Sequence, residues 1–179
     1  MTRYVGIDPS TKTGLVILDK HGELIDAVEI TAEGKDPSRM IDIIEQVMSS
    51  IEDNDFVTIE GFGFASQSGF LLGGIGWGIR MDLYSRRISY DEVAPNALKK
   101  FAGAKGNVKK DELAVHIYKR WGFEHASDNV RDAYVLAQIA RTVREAKRGY
   151  YDGLTAYQKD VVDVILTPPV KKPRKKRGA

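Results

Sequence analysis

Cysteine is absent from this sequence of 179 residues, and histidine occurs only three times. The lack of cysteine excludes disulfide frameworks, thiolate zinc sites and cysteine nucleophiles. Long apolar runs are also lacking: none approaches the roughly 20 residues of a membrane span, and the N-terminus lacks the pattern of a secretory signal. We therefore expect a protein of a reducing cytoplasm that has no membrane partner.

Charge is nearly balanced overall, at +2, but it is unevenly distributed. Six basic residues lie close to the C-terminus: Lys171, Lys172, Arg174, Lys175, Lys176 and Arg177. Without them, 21 basic residues stand against 25 acidic ones, so the rest of the chain has a net charge of −4. A basic tail on a mildly acidic body favours a polyanionic partner, nucleic acid first. The alternative is a disordered tail that only improves solubility.

Three short runs near the N-terminus predict adjacent strands. Residues 3–8 and 14–18 are rich in β-branched side chains and are separated by turn-forming residues, and residues 23–31 alternate apolar and polar side chains. Connections this short join antiparallel strands. Asp8 lies where the first strand ends, so its carboxylate can face a cation. The plainer interpretation is that Asp8 only begins a turn.

A helix and a fourth strand are predicted next. Apolar residues recur at spacings of three and four over residues 40–51, which predicts a helix ending near residue 52. Residues 56–60 are a β-branched run that ends in Glu60. A strand after a helical crossover is expected to be parallel to the first strand. Asp8 and Glu60 should then emerge at the same end of the sheet.

The remaining pattern predicts one more strand and further helices. The glycine-rich residues 61–78 should begin as a loop and continue as a helix into Leu83, because small residues permit close packing. A strand is predicted at 88–93, and helices are predicted at 95–101 and 155–166. A further helix should run from Asn107 or Asp111 to Gly122, and another should begin at Ser127 or Asp128. We expect three parts: a domain over 1–149, a helical segment over 150–167 and a basic, disordered tail over 168–179.

Four acids occupy positions that suit metal binding. Asp8 and Glu60 end neighbouring strands, and Asp128 and Asp132 lie one helical turn apart and share a helix face. Carboxylates brought together repel unless a cation compensates them, and ligands that are oxygen only suit Mg²⁺ or Mn²⁺. Two such ions about 4 Å apart can activate water and stabilise the leaving oxygen in phosphodiester cleavage. The alternative for Asp128 is an interaction with the helix dipole.

Aromatic residues lie among the glycines that follow Glu60. Exposed aromatics on glycine-rich segments suit insertion between DNA bases or stacking on them, and Phe64 is predicted to do so. Phe70 and Trp77 are predicted to belong to the core instead.

Several motifs occur together in one order along the chain. They are Val5-Gly6-Ile7-Asp8-Pro9-Ser10 with Thr13-Gly14, then Ile59-Glu60, then Pro95-Asn96-Ala97-Leu98-Lys99 with Gly103, Gly106 and Lys110, and finally Asp132-Ala133-Tyr134 with Ala137. In this combination, which spans about residues 3–145, the sequence resembles the RuvC-type Holliday-junction resolvases, a family of RNase H-like nucleases. The resemblance implies an α/β RNase H-like fold. Its five-stranded mixed sheet would have three antiparallel and then two parallel strands, with helices on both faces.

The resemblance also assigns roles to residues. It implies that Asp8, Glu60 and Asp132 hold two Mg²⁺ or Mn²⁺ ions, and that Lys99 and Lys110 approach the phosphate, with Lys110 in the catalytic set. Other expected DNA-binding residues are Lys105, Lys109 and, as a wedge near the junction crossover, Phe64. Without the resemblance, each lysine would be interpreted as a solvated surface residue. The implied reaction cuts branched DNA, leaves a 5′-phosphate and uses a homodimer for two symmetric nicks.

The sequence departs from this pattern before its last aspartate. Many relatives place an acid three residues before it, where this chain has Asn129 and the acid is Asp128. Both residues stay open as the fourth ligand, and we favour Asp128. The family includes phage-type members with broader substrate ranges, so a bacterial or a phage-infected host cytoplasm is expected.

Three alternatives to a junction resolvase remain. They are an RNase H-like enzyme that cuts RNA in a hybrid duplex, a non-catalytic junction-binding protein, and a sugar-kinase or actin-like domain. The last also begins with a strand ending in Gly-Ile-Asp, but it needs a larger chain and a second phosphate loop.

Overall fold

A computed structural model describes residues 1–62 and 69–168, without the side chains of residues 69–72. Its sheet has five strands in the order β3-β2-β1-β4-β5. The strands are β1 (Tyr4–Asp8), β2 (Thr13–Leu18), β3 (Leu24–Ile30), β4 (Phe56–Glu60) and β5 (Tyr90–Val93). β1, β2 and β3 pair antiparallel, whereas β4 pairs parallel with β1 and β5 parallel with β4. The predicted sheet is confirmed, including the change from antiparallel to parallel pairing.

Six helices complete the described part of the chain. They are α1 (Ser38–Ser49), α2 (Gly69–Ser85), α3 (Pro95–Phe101), α4 (Lys110–Trp121), α5 (Asp128–Lys147) and α6 (Ala156–Leu166). The Ser127 side chain caps α5 by accepting a hydrogen bond from the Val130 amide, and Gly122 ends α4 with a φ of 66°. No helix within residues 1–62 and 69–168 combines the length and apolarity that crossing a membrane requires.

The alternation of side chains along the strands produces a core on each face of the sheet. Val5 and Ile7 of β1 lie in the cluster that α1 and α2 cover, whereas Tyr4 lies in the cluster that α5 covers. Burying a large apolar side chain contributes about 1.5–3 kcal/mol to folding, so both faces are firmly held. Residues of β1 and β4 that point to the α5 face therefore meet α5 side chains.

Two glycines let α5 lie directly against the sheet. A Cβ atom at Gly6 of β1 would overlap the carbonyl oxygen of Ala133 and the amide nitrogen of Ala137. A Cβ atom at Gly14 of β2 would overlap the carbonyl oxygen of Asn129. The backbone of α5 thus contacts the backbone of β1 and β2 at positions on either side of Asp132.

Several features differ from the sequence-based expectation. Trp77 is not a core residue: it is 56% exposed and stacks on Phe62, with 5.5 Å between ring centroids. The reason is that the apolar side of α2 is provided by Ile75, Ile79 and Leu83, which leaves Trp77 on the outer side. In addition, α1 ends at Ser49 rather than near residue 52, and β5 begins at Tyr90 rather than at residue 88. Helix α4 begins at Lys110 with Lys109 as its N-cap, so neither Asn107 nor Asp111 caps it.

The C-terminal helix α6 packs onto the body of the protein. Its Val161 and Val162 are buried in the core cluster that also contains residues of α3 and α5. A capping box at its start joins Thr155 to Gln158. The basic residues after position 168 and Phe64 lie outside the described residues, as does the side chain of Phe70.

Candidate active site

Asp8 and Glu60 lie side by side at the ends of adjacent parallel strands. Ile7 of β1 is paired with Ile59 of β4, so the next residues along both strands are Asp8 and Glu60. Since Ile7 and Ile59 point into the α1–α2 core, the following residues point to the opposite face, towards α5. The sequence-based expectation that both carboxylates emerge at one end of the sheet agrees with this register.

Asp132 reaches the same point from the first turns of α5. Its neighbours along that helix, Asn129 and Ala133, make the backbone contacts with Gly14 and Gly6. These contacts fix the height of α5 above the sheet and place Asp132 close enough to Asp8 for the two charges to interact. Asp8 is buried, whereas Glu60 and Asp132 are half-buried at the rim of the site.

The three carboxyl groups lose protons less readily than isolated ones. Burial, and then the charge of Glu60 and a hydrogen bond with it, raises the pKa of Asp8 well above its ordinary value. The pKa of Glu60 is also raised, mainly by burial. Burial and the charge of Asp8 raise the pKa of Asp132 to about 7, against an ordinary value of 3.8. Desolvation and like charge act in the same direction here, which is the pattern of a functional site.

Two lysines oppose these shifts. The charges of Lys110 and Lys99 both lower the pKa of Glu60 and of Asp132, and Lys110 also lowers that of Asp8. Lys110 begins α4 and forms an ion pair with Asp128, although its side chain is 67% exposed. Lys99 of α3 donates a hydrogen bond of 3.1 Å to the carbonyl oxygen of Val108. Positive charge therefore borders the acids.

Asp128 and Asn129 have other partners in this structure. Asp128 accepts the hydrogen bond of Lys110 and so links the starts of α5 and α4. The Asn129 side-chain amide donates a hydrogen bond of 2.7 Å to the carbonyl oxygen of Lys12, which holds the β1–β2 connection. The identity of a fourth ligand therefore stays a prediction. Asp128 is the better candidate, because it already binds a cation, the Lys110 ammonium, which a metal ion could replace.

The other predicted DNA-binding residues are distributed around this centre. Lys105 and Lys109 are exposed and lie in the segment between α3 and α4. Phe64 lies outside the described residues, four positions after Glu60. The structure therefore gathers Asp8, Glu60 and Asp132 with Lys99 and Lys110.

The donor set fits a hard divalent cation. Carboxylate oxygens are preferred by Mg²⁺ and Mn²⁺, and bound positive charge would favour the ionised form of each raised acid. As the side chains are placed, no group of three or more His, Asp or Glu residues in the described part of the chain converges closely enough to hold one ion. The Asp8 and Glu60 side chains lie close enough to affect each other's pKa, so a bound cation would relieve the repulsion between them.

Arg80 of α2, which was not among the predicted site residues, is buried behind this site. Its guanidinium donates a hydrogen bond of 2.9 Å to the carbonyl oxygen of Glu60. The available signal was the single arginine of a largely apolar, glycine-rich helix, since a fully buried arginine requires a specific partner.

No protein-family model and no curated protein matches this sequence. Solved structures do match. A Thermus thermophilus RuvC structure is similar over 82% of this chain and 96% of its own, with 18% sequence identity and a TM-score of 0.65. T. thermophilus RuvC in complex with Holliday junction substrate is similar over 83% of this chain and 97% of its own, with 17% identity and a TM-score of 0.64. The predicted RNase H-like fold of the RuvC type is thereby confirmed.

Proposed function

We propose that this protein is a metal-dependent, structure-selective endonuclease that cleaves branched DNA. Its substrate would be the four-way Holliday junction, resolved by paired symmetric nicks that leave 5′-phosphates and 3′-hydroxyls. The observation that carries the proposal is the cluster of Asp8, Glu60 and Asp132, whose pKa values are all raised, at one end of the sheet. The similarity to RuvC, including its junction complex, supports a junction substrate.

Asp8, Glu60 and Asp132 would hold the divalent ions, with Asp128 as the fourth ligand. Mg²⁺ or Mn²⁺, two ions in each site, would supply water activation and stabilisation of the leaving oxygen. The protein would contribute a rigid support for the ligands: two adjacent strand ends, and a helix whose distance from them is fixed by backbone contact. A substrate phosphate would then meet a preorganised site.

Lysines on α3, α4 and the segment between them would bind the DNA backbone. Lys110 is exposed and next to the acids, so it is best placed to contact the phosphate under attack. Its present partner, Asp128, would be released to the ions when the phosphate takes its place. Lys99, Lys105 and Lys109 would hold neighbouring phosphates through charge alone, a contact that does not depend on base sequence.

A homodimer with two-fold symmetry would deliver the two nicks, because a symmetric junction needs two equivalent sites. Trp77, Met81 and Tyr84 of α2 are large apolar side chains, all more than half exposed, at spacings of four and three. They therefore form one apolar strip on α2 that could meet its copy in a second molecule. Sedimentation velocity would report the dimer, and a monomer at all concentrations would contradict it.

The decisive experiment is cleavage of a labelled four-way junction by the wild type and by Asp132→Asn, with Mg²⁺, with Mn²⁺ and with a chelator. Paired symmetric nicks that disappear with the substitution and with the chelator are expected. A labelled RNA–DNA hybrid and a simple flap are tested in parallel. Preferential cleavage of the hybrid would replace the proposal by an RNase H activity. Tight junction binding without product under every condition would leave a non-catalytic binding protein.

A further inference from the structure

Arg80 lies where α2 meets the ends of β4 and β5, on the opposite side of the sheet from α5. Its side chain is 2% exposed. The surrounding residues of α2, Ile75, Ile79 and Leu83, are core residues. Burying a guanidinium in such surroundings is costly unless its donors are satisfied, so the contacts of Arg80 indicate why it is there.

The Arg80 guanidinium donates three hydrogen bonds, and their acceptors lie on three different elements, α2, β4 and β5. One terminal nitrogen donates to the Glu60 carbonyl oxygen at 2.9 Å, and the other to the Gly76 carbonyl oxygen, also at 2.9 Å. Nε donates to the carboxylate of Glu92 on β5. The guanidinium also lies over the ring of Phe62, 4.4 Å from its centroid. One side chain thus joins α2, β4, β5 and the residues that follow β4.

These contacts fix the last peptide unit of β4. The amide of Gly61 donates a hydrogen bond of 2.8 Å to the carbonyl oxygen of Val93, while the carbonyl oxygen of Glu60 accepts from Arg80. With both polar atoms of this peptide engaged, the plane between Glu60 and Gly61 cannot rotate freely. The direction of the Cα–Cβ bond of Glu60 is set by the same dihedral angles, so its carboxylate is held beside Asp8.

We propose that Arg80 is a positioning residue of the acid site. It acts through the Glu60 backbone and through Phe62, and not by contact with a carboxylate of the site, because the Glu60 side chain points to the α5 face. The proposal rests on the proposed function in one respect, namely that Asp8, Glu60 and Asp132 bind divalent cations. It predicts that loss of the guanidinium contacts lowers metal affinity without removing any ligand.

Arg86 provides a matched control. It follows α2 directly and also donates to backbone carbonyl oxygens, those of Met48 at 2.8 Å and Ile51 at 2.7 Å. These acceptors lie before the start of β4, at the other end of that strand. Arg86→Lys therefore disturbs the same type of contact away from the acids.

The test is titration of the wild type, Arg80→Lys, Arg80→Met and Arg86→Lys with Mn²⁺ by calorimetry, alongside the thermal midpoint of each. Supporting contacts to metal ligands typically change metal affinity about 10–100-fold, so we expect a loss of about 10-fold in both Arg80 variants. Arg86→Lys should bind Mn²⁺ like the wild type. If Arg80→Met does not fold, the Mn²⁺ affinity of Arg80→Lys alone decides the test.

Wild-type Mn²⁺ affinity in a folded Arg80→Lys would overturn the proposal, as would equal losses in Arg80→Lys and Arg86→Lys. Either result would leave the proposed nuclease function standing. If the wild type itself bound no Mn²⁺, the proposed function and the role of Arg80 would both be wrong.

Discussion

Two buried aspartates, Asp8 and Asp55, lie at opposite ends of the β1–β4 pair, and their surroundings differ completely. Asp55 is 6% exposed and accepts hydrogen bonds from Arg3 Nε at 2.9 Å, from an Arg3 terminal nitrogen at 2.6 Å and from the Glu52 amide at 2.8 Å. Asp8 is 7% exposed, and its carboxyl neighbours are Glu60 and Asp132. The charge of the Asp55 carboxylate is compensated by hydrogen-bond donors of the chain itself. The Asp8 carboxylate needs a proton or a bound cation instead.

The contrast separates structural acids from functional ones. A bidentate arginine compensates a buried carboxylate, so the pair is buried without an unbalanced charge. A buried group of acids without such a partner opposes folding when ionised, and this cost is compensated when a cation binds. The lysines near the acid site are partly engaged elsewhere: Lys110 pairs with Asp128, and Lys99 donates to Val108.

The largest effect is expected from Asp8→Asn. This change removes a ligand charge but no phosphate contact, so cleavage should fall by about 1,000-fold, the upper range for one preorganised electrostatic contribution. Junction affinity should stay within about threefold, since backbone lysines supply it. Single-turnover cleavage and gel-shift titration measure the two quantities. Substantial residual cleavage would remove Asp8 from the ligand set.

The reverse result is expected at the other end of the sheet. Asp55→Ala leaves the Arg3 guanidinium, whose side chain is 14% exposed, without its main partner. Arg3 keeps its contacts with Glu52 and the Ser50 carbonyl oxygen, so losing the charged contact with Asp55 should cost about 1.5–3 kcal/mol, measured as the free energy of unfolding in urea. At a temperature where the variant is folded, its cleavage rate and Mn²⁺ affinity should match the wild type. A loss of Mn²⁺ affinity in the folded variant would contradict the distinction between a structural acid, Asp55, and a functional one, Asp8.

The pH dependence of stability sharpens the comparison further. In chelator, the folded protein retains a proton on Asp132 up to about pH 7, whereas the unfolded chain loses it near the ordinary value of 3.8. The folded state then binds more protons in this window, so the free energy of unfolding falls as pH rises from about 4 to 7 and levels off above that.

Asp132→Asn should make this pH dependence shallower, and Mn²⁺ at about pH 8 should stabilise the wild type more than the variant. Urea denaturation at several pH values, with and without the ion, provides the measurement. An equally steep pH dependence in the variant would show that Asp132 titrates normally in the folded protein.

The smallest effect is expected from removal of residues 171–179. The tail carries six basic residues, which would add contacts to DNA without touching the acid site. Each lost phosphate contact should reduce the slope of log affinity against log salt by about 0.9, and the catalytic rate at saturation should not change. An unchanged salt slope would show that the tail does not lie on the DNA.

The sequence sufficed for the sheet because strand ends and turn residues are local signals. Asp8 and Glu60 each terminate a β-branched run, and the parallel crossover then places them together. Asp132 could be singled out by its spacing from Asp128, but its place beside Asp8 required the family resemblance, because its approach to Asp8 depends on the distance of α5 from the sheet. The role of Arg80 could not be predicted, since a guanidinium that binds a backbone carbonyl 20 residues away leaves no periodic pattern.

Gly6 and Gly14 make the acid site depend on the distance between α5 and the sheet. Because no side chain separates α5 from β1 and β2 there, the backbone of the helix lies directly against the backbone of the sheet. Alanine at either glycine would push the helix outward and carry Asp132 away from Asp8, although every carboxylate would still be present in the sequence. A designer who transplanted only the acids onto a similar sheet would obtain the ligands without their spacing. Glycine at positions 6 and 14 is therefore as necessary to the site as the carboxylate oxygens are.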